Sequence, residues 1–134
     1  MQANGTFEVK LQPLEPYAAG QAGVSLGRMS LDKTFSGDLQ GTSRGEMLSA
    51  VAGDARGDAA GYVAIEQVSG TLGGREGTFV LQHYGVSGRG GDRLTLEVLP
   101  GSGTGALTGL VGEMTIRRED GEHVYRLEYT LPGK

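Results

Sequence analysis

Apolar and polar residues alternate along most of this chain of 134 residues, and this period of two restricts its fold more than any other feature. The alternation is strict in residues 6–11, where TFEVKL places every second side chain on one face of a half-buried strand. The 3.6-residue period of an amphipathic helix does not persist over ten residues anywhere. We therefore predict an all-β protein. The predicted strands cover residues 6–11, 24–35, 41–52, 61–72, 77–86, 94–99, 103–107, 111–118 and 124–131.

Glycine supplies 25 of the residues and marks most of the boundaries between these strands. The glycines have no three-residue period, which excludes collagen, and apolar residues recur all along the chain, which excludes a flexible linker. Glycines inside strands are typical of the tight curvature of a barrel. We predict one domain over residues 1–134, an antiparallel β-barrel of about eight strands joined as a meander by Gly-rich turns. A change in apolar parity at Gly27-Arg28 further predicts a β-bulge.

Asp120-Gly121 predicts a tight hairpin, because a type I′ turn needs a positive φ at both central residues. Closing the chain there pairs Glu119 with Glu122. It also sets Ile116 opposite Tyr125, Met114 opposite Leu127 and Gly112 opposite Tyr129. These last three pairs share one face, so the turn and the apolar pattern agree.

Two further turns bring a carboxylate and an imidazole onto one apolar face. A turn at Gly73-Gly74 pairs Val68 with Phe79, Glu66 with Leu81 and Ala64 with His83. A turn at Arg89-Gly90 adds Leu96 opposite His83 and Val98 opposite Leu81. Glu66 and His83 then lie diagonal to each other, about 7–8 Å apart at Cα.

This pair is the sharpest candidate site in the sequence. Inside an apolar barrel, Glu66 and His83 could be catalytic as a general acid and base, or could orient the polar group of a ligand. Alternatively, they are a buried pair that serves only the fold. The apolar wall of a ligand site is predicted from the residues expected to point inward with them: Leu81, Leu96, Met114, Tyr125 and Tyr129.

Other classes of partner and cofactor find no support in the composition. A net charge of −4 predicts no nucleic-acid partner, and no apolar run approaches the length of a membrane span. The chain has no Cys and only two His, in different predicted hairpins, so we expect no metal and no cofactor. Pro100–Gly109 is rich in Gly but lacks the Lys of a phosphate-binding loop. The first residues lack the apolar segment of a secretion signal, and a cytoplasmic location is the expectation.

Several segments, taken in order, resemble a bacterial family catalogued as domain of unknown function 3224. They are GTFEV at residues 5–9, KTFSGDLQG at 33–41, EQVSGTLGGR at 66–75, GTFVLQH at 77–83 and PGSGTG at 100–105. The resemblance implies an eight-stranded antiparallel barrel similar to allene oxide cyclase and the dirigent proteins, many of which are oligomeric. It implies no established activity. Barrels of that type bind hydrophobic small molecules, and some guide their cyclisation or isomerisation, but a fold alone does not determine function.

Three hypotheses of function follow. The first is a barrel that binds a hydrophobic small molecule. The second is an isomerase or cyclase in which Glu66 or His83 moves a proton of an apolar substrate. The third is a structural module with a filled barrel, which works through the interface of a homo-oligomer. Apolar residues on both faces of residues 47–51 and 62–65 motivate the third hypothesis, because the outward set needs cover.

Overall fold

The computed structural model describes residues 1–53, 59–88 and 91–133. Within them, eight strands form a closed antiparallel barrel in chain order, and the last strand pairs with the first. The strands are β1 (Gln2–Leu14), β2 (Val24–Gly37), β3 (Leu39–Ala52), β4 (Ala59–Leu72), β5 (Arg75–Gly88), β6 (Arg93–Val98), β7 (Val111–Glu119) and β8 (Glu122–Thr130). The predicted fold class is confirmed.

The registers predicted from the turns are confirmed pair by pair. β7 and β8 meet at Glu119 and Glu122, and the turn residues Asp120 and Gly121 have φ values of 50° and 82°. β4 and β5 pair Glu66 with Leu81. β5 and β6 pair His83 with Leu96, as a turn at Arg89-Gly90 requires, although those two residues lie outside the described residues. The side chains of each strand therefore alternate between the barrel interior and its outer surface as the sequence predicts.

The predicted bulge at Gly27-Arg28 is wrong. β2 pairs with β3 in one unbroken register from Val24 to Phe35, with Gly27 opposite Ser49. The change of parity arises because Leu26 is an outward-facing apolar residue, 38% exposed, whereas the inward positions continue through Leu31 to Phe35. An exposed apolar side chain was the misleading signal.

Residues 103–107 do not form the predicted strand. The chain instead makes a 3₁₀ helix at Gly105–Leu107, inside the connection from β6 to β7. Thr104 ties this connection to β5, since its amide donates to the carbonyl of Thr78 at 2.8 Å and its hydroxyl accepts from the amide of Thr78 at 3.0 Å. Leu107 and Leu110 are fully buried, so the connection covers one end of the barrel, which we call the closed end.

The core fills the half of the barrel next to the closed end. Its largest fully buried side chains include Tyr125, Phe79, Leu39 and Leu72. Gly41 of β3 faces Gly70 of β4 there, and a Cβ on Gly41 would overlap the carbonyl oxygen of Ser69. The strands can bend this sharply only where no side chain intervenes. In the described residues, no helix is long and apolar enough to cross a membrane.

Candidate functional site

The opposite end of the barrel, which we call the open end, contains two adjoining cavities. β1 to β5 have 13 or 14 residues each, whereas β7 and β8 have nine, so the strands around the barrel are of unequal length. The inner cavity has a volume of about 240 Å³ and the mouth cavity about 480 Å³. Met47, Tyr62 and Leu94 line both of them. Together they form one recess, with apolar walls, that leads into the barrel.

The walls of the inner cavity come from strands all around the barrel. Its lining consists of Phe7, Val9, Leu11, Leu31, Lys33, Met47, Tyr62, Ala64, His83, Leu94, Ile116 and His123. Most of these side chains are apolar or aromatic, and the few polar ones include Lys33 and His83, which both contact Glu66. This composition is typical of a small-molecule site.

Of the residues predicted as a site, the structure brings His83 to the inner cavity and Glu66 directly beneath it. Glu66 is completely buried and His83 is 5% exposed. The five residues predicted as the apolar wall lie elsewhere. Four of them are buried in the packed core, Tyr129 packs against it, and none lines the inner or the mouth cavity: Leu81, Leu96, Met114, Tyr125 and Tyr129. Two of them are direct cross-strand partners of residues that line the inner cavity, since Leu96 pairs with His83 and Tyr125 with Ile116, but their side chains pack into the core.

Glu66 is the centre of a buried polar cluster, formed by Lys33, Ser43, Glu66 and His83. Its Oε1 accepts a hydrogen bond from Ser43 Oγ at 2.5 Å, and its Oε2 accepts one from Lys33 Nζ at 2.9 Å. Oε2 also contacts His83 Nε2 within hydrogen-bond distance. The predicted diagonal pair is thus in direct contact, and three side chains share one carboxylate.

Lys33, like Ser43, is a member of the polar cluster that the sequence reasoning missed. The side chain is 3% exposed, and its ammonium group lies 4.6 Å from the ring centre of Phe7 and 5.8 Å from that of Phe35. The signal was present in the alternation of β2, where Lys33 has the same parity as Leu31 and Phe35. A lysine at an inward position of a strand indicates a buried partner, because an unpaired buried charge is costly.

Burial disfavours the charged carboxylate of Glu66 and acts to raise its pKa. The hydrogen bond from His83, the charge of Lys33 and the hydrogen bonds from Ser43 and Lys33 outweigh that effect, and the net result is a pKa below the ordinary value. Glu66 is therefore an ionised acceptor at neutral pH. Burial and the same carboxylate raise the pKa of Tyr62, which stays a neutral phenol.

The ionised Glu66 determines which nitrogen of His83 carries a proton. A carboxylate can only accept hydrogen bonds, so Nε2 must be the donor, and in the neutral imidazole Nδ1 is then an acceptor. The partner of Nδ1 is the hydroxyl of Tyr62, at 3.5 Å. This distance is at the limit of a hydrogen bond. Nδ1 is therefore a weakly engaged acceptor at a side chain that lines the inner cavity.

His123 forms part of the cavity wall on the opposite side from His83. Its ring stacks on Phe7 with centroids 4.9 Å apart, and Phe7 in turn contacts Phe35 at 5.6 Å. Partial burial, with the charges of Arg118 and Lys33, lowers the pKa of His123. This neutral ring belongs to the aromatic wall of the cavity.

Tyr125 has a structural role that its position in the core explains. Its hydroxyl donates to the carbonyl of Ser36 at 2.9 Å and accepts from the amide of Leu39 at 2.9 Å. These bonds hold the tight connection between β2 and β3 at the closed end. The hydroxyl is thus occupied by the backbone.

Comparisons with known proteins agree with the resemblance in the sequence. The model of the family "Protein of unknown function (DUF3224)" matches residues 3–129. The chain is similar to the crystal structure of a DUF3224 protein of unknown function from Shewanella oneidensis MR-1. The two share 52% sequence identity with a TM-score of 0.93, and the match covers 100% of this chain and 98% of that chain. No curated protein matches this chain.

Proposed function

Because the chain belongs to the DUF3224 family, whose description names no activity, we propose a function from its own geometry: the open end of the barrel binds a small apolar molecule. The observation that carries this proposal is the recess of about 240 and 480 Å³, with apolar walls and one polar cluster at its base. Ligand sites combine an apolar lining with a few convergent polar groups in this way. The likeness to allene oxide cyclase and the dirigent proteins stays a prediction from the sequence. Such a barrel would be consistent with the proposed binding function.

An exposed apolar side chain at the mouth cavity supports the binding of an apolar ligand there. Leu94 lies at that entrance and remains 44% exposed, although its side chain points to the inside of the barrel. An inward-facing apolar side chain left in contact with water gains free energy when a ligand covers it, by about 25 cal/mol for each Å² of apolar surface. The recess therefore favours an apolar ligand over a charged one.

The experiment is calorimetric titration of the protein with 2-naphthol, an apolar aromatic probe. Ser49 lines the mouth cavity, and Ser49→Trp would fill it with an indole ring. Val111 is 39% exposed on the outer surface and lines neither cavity, and Val111→Trp serves as the matched control. We expect saturable binding to the wild type and to Val111→Trp, and loss of binding in Ser49→Trp. Binding that survives in Ser49→Trp, or no binding to the wild type, contradicts the proposal.

The contact between Glu66 and His83 favours a second function, an isomerase or cyclase. A carboxylate that holds Nε2–H orients the imidazole so that Nδ1 can take a proton. From an apolar ketone in the cavity, the proton on the α-carbon would move to Nδ1, the C–H electron pair would form the C=C bond of the enolate, and the carbonyl π pair would move to the oxygen. Lys33 would stabilise the resulting enolate electrostatically. His83 is then the catalytic residue, and Glu66 is a positioning residue.

This second function is tested by hydrogen exchange of 2-tetralone in D₂O, followed by NMR. When the enolate takes a deuteron back from the imidazole, its α-carbon is labelled. Catalysis therefore increases the exchange rate, and the assay does not require the natural product to be known. We expect acceleration by the wild type and by Tyr84→Phe, an outward-facing control, and its loss in His83→Phe. Exchange at the rate of buffer alone would leave only the binding function.

The third hypothesis, a homo-oligomer, stays a prediction with a definite surface. Leu48, Val63 and Tyr84 are direct neighbours across β3, β4 and β5 on the outside of the barrel, and they are 53%, 47% and 53% exposed. A second copy of this chain is the expected occupant. Light scattering should detect an oligomer that Val63→Lys dissociates, and a strict monomer at high concentration would contradict it.

The open recess argues against a barrel filled throughout. A cytoplasmic location likewise stays a prediction from the sequence.

A further inference from the structure

The polar cluster at the base of the recess has one hydrogen-bonding atom that the fold leaves weakly used. Glu66 accepts from Ser43 and Lys33 and contacts His83, so both of its oxygens are engaged. In the described residues, no buried side-chain polar atom lacks a partner. However, the partner of His83 Nδ1 is a tyrosine hydroxyl at 3.5 Å, which is longer than an ordinary hydrogen bond.

From this geometry, and resting on the proposed function, we propose that the ligand is a neutral apolar molecule whose leading end carries a hydroxyl group that donates a hydrogen bond to His83 Nδ1. A weakly engaged acceptor at the end of an apolar recess favours a ligand with a donor, because a ligand that displaced Tyr62 from Nδ1 without donating to it would leave a buried acceptor unsatisfied. A ligand hydroxyl would lie beside both Nδ1 and the Tyr62 hydroxyl and replace their long contact, since it could accept from the tyrosine while donating to Nδ1.

The charge balance of the cluster supports a neutral ligand. The ammonium of Lys33 offsets the carboxylate of Glu66, so the cluster has no net charge when the imidazole is neutral. A ligand carboxylate would bring an unpaired negative charge into a site that is 5% exposed or less at Lys33, Glu66 and His83. Such a charge is unfavourable in an apolar environment. An ether or ester of the same shape would lack the proton that Nδ1 needs.

The first experiment compares three probes of the same aromatic shape: 2-naphthol, 2-methoxynaphthalene and 2-naphthoate. We expect 2-naphthol to bind the wild type about tenfold more tightly than 2-methoxynaphthalene, which corresponds to one net hydrogen bond. We expect 2-naphthoate to bind most weakly at pH 8. The preference for the hydroxyl should vanish in His83→Phe and persist in Tyr84→Phe.

Equal affinity of 2-naphthol and its methyl ether for the wild type would overturn the inference while leaving the proposed function intact. Tighter binding of 2-naphthoate would overturn it in the same way. If neither neutral probe binds, the proposed function fails and the inference fails with it. The two failures are therefore distinguishable.

A second measurement needs neither a ligand nor a folded variant at His83. Nitrogen-15 NMR of the wild-type imidazoles reports which ring nitrogen is protonated, and His123→Gln assigns the two histidines. We expect the proton on Nε2, which contacts the Glu66 carboxylate, and none on Nδ1. A proton on Nδ1, with or without one on Nε2, would overturn the inference, because the cavity would then offer a donor instead of an acceptor.

Discussion

Removal of the Lys33 side-chain charge tests the buried polar cluster on which the site depends. Lys33→Met keeps much of the length of the side chain but leaves the Glu66 carboxylate without its cation. The side chains of Lys33 and Glu66 are 3% and 0% exposed, so water cannot replace the lost ammonium. Removing one partner of a buried ion pair typically costs about 3–5 kcal/mol. This cost is a large share of the total stability of a domain, about 5–15 kcal/mol.

The assay is urea unfolding at neutral pH, followed by circular dichroism and by tyrosine fluorescence, since the chain has no Trp. With a slope of about 2 kcal/mol per M, a loss of about 4 kcal/mol lowers the midpoint by about 2 M. The double variant Lys33→Met/Glu66→Gln removes both charges and should recover most of this loss.

Arg28→Met is the matched control. It also breaks an ion pair between a basic residue and a glutamate, Arg28 with Glu46. Those side chains are 38% and 55% exposed, however, so water screens their interaction. We expect only a small change in the midpoint. If Lys33→Met costs no more than Arg28→Met, or if the double variant is as unstable as Lys33→Met, the cluster is not the tightly coupled unit described above.

Three further predictions concern the closed end of the barrel, its strand packing and the charge of Glu66. Tyr125→Phe should cost about 1–3 kcal/mol in urea unfolding because it leaves the buried amide of Leu39 without its acceptor, and an unchanged midpoint would contradict this role. Gly41→Ala should destabilise the barrel strongly, since its Cβ would overlap backbone. Gly61→Ala should leave the stability nearly unchanged, because the nearest neighbour of its Cβ would be 3.6 Å away. Thermal melting temperatures of the two variants give the comparison. The lowered pKa of Glu66 contributes stability that is present above the ordinary Glu pKa of about 4.3 and is lost as the pH falls through the lower folded-state value. The free energy of unfolding should therefore fall less steeply with decreasing pH in Glu66→Gln than in the wild type. Identical pH profiles of the two proteins would contradict this prediction.

The hairpins were predictable because their turn residues and their apolar pattern state the same register. Asp120-Gly121 and Gly73-Gly74 each allow a tight turn, and alternation on both sides leaves only one register that buries the apolar face. The contact of Glu66 with His83 followed directly from the turn at Gly73-Gly74, which sets the register of β4 and β5. Local chemistry was sufficient there because neighbouring strands of a meander are also neighbours in the chain.

The remaining features depend on packing around the whole barrel. Leu26 suggested a bulge because an outward apolar residue has the same sequence signal as an inward one after a shift of register. The alternation of β2 gives Lys33 its inward parity, but it does not identify the partner Glu66, which lies two strands away. The depth to which side chains fill the barrel decides that Tyr125 is core and Tyr62 is cavity wall. That depth depends on side-chain volumes from all the strands and has no local sequence signal.

The most direct test of ligand binding in the open end is an NMR titration of methyl-labelled methionines with 2-naphthol. Met47 lines both cavities, whereas Met114 is 3% exposed in the packed core, so one protein contains both the reporter and its control. We predict a saturable shift of the Met47 methyl signal with little change at Met114. A Met47 signal that does not move at saturating probe, or a shift only at Met114, would contradict binding in the recess.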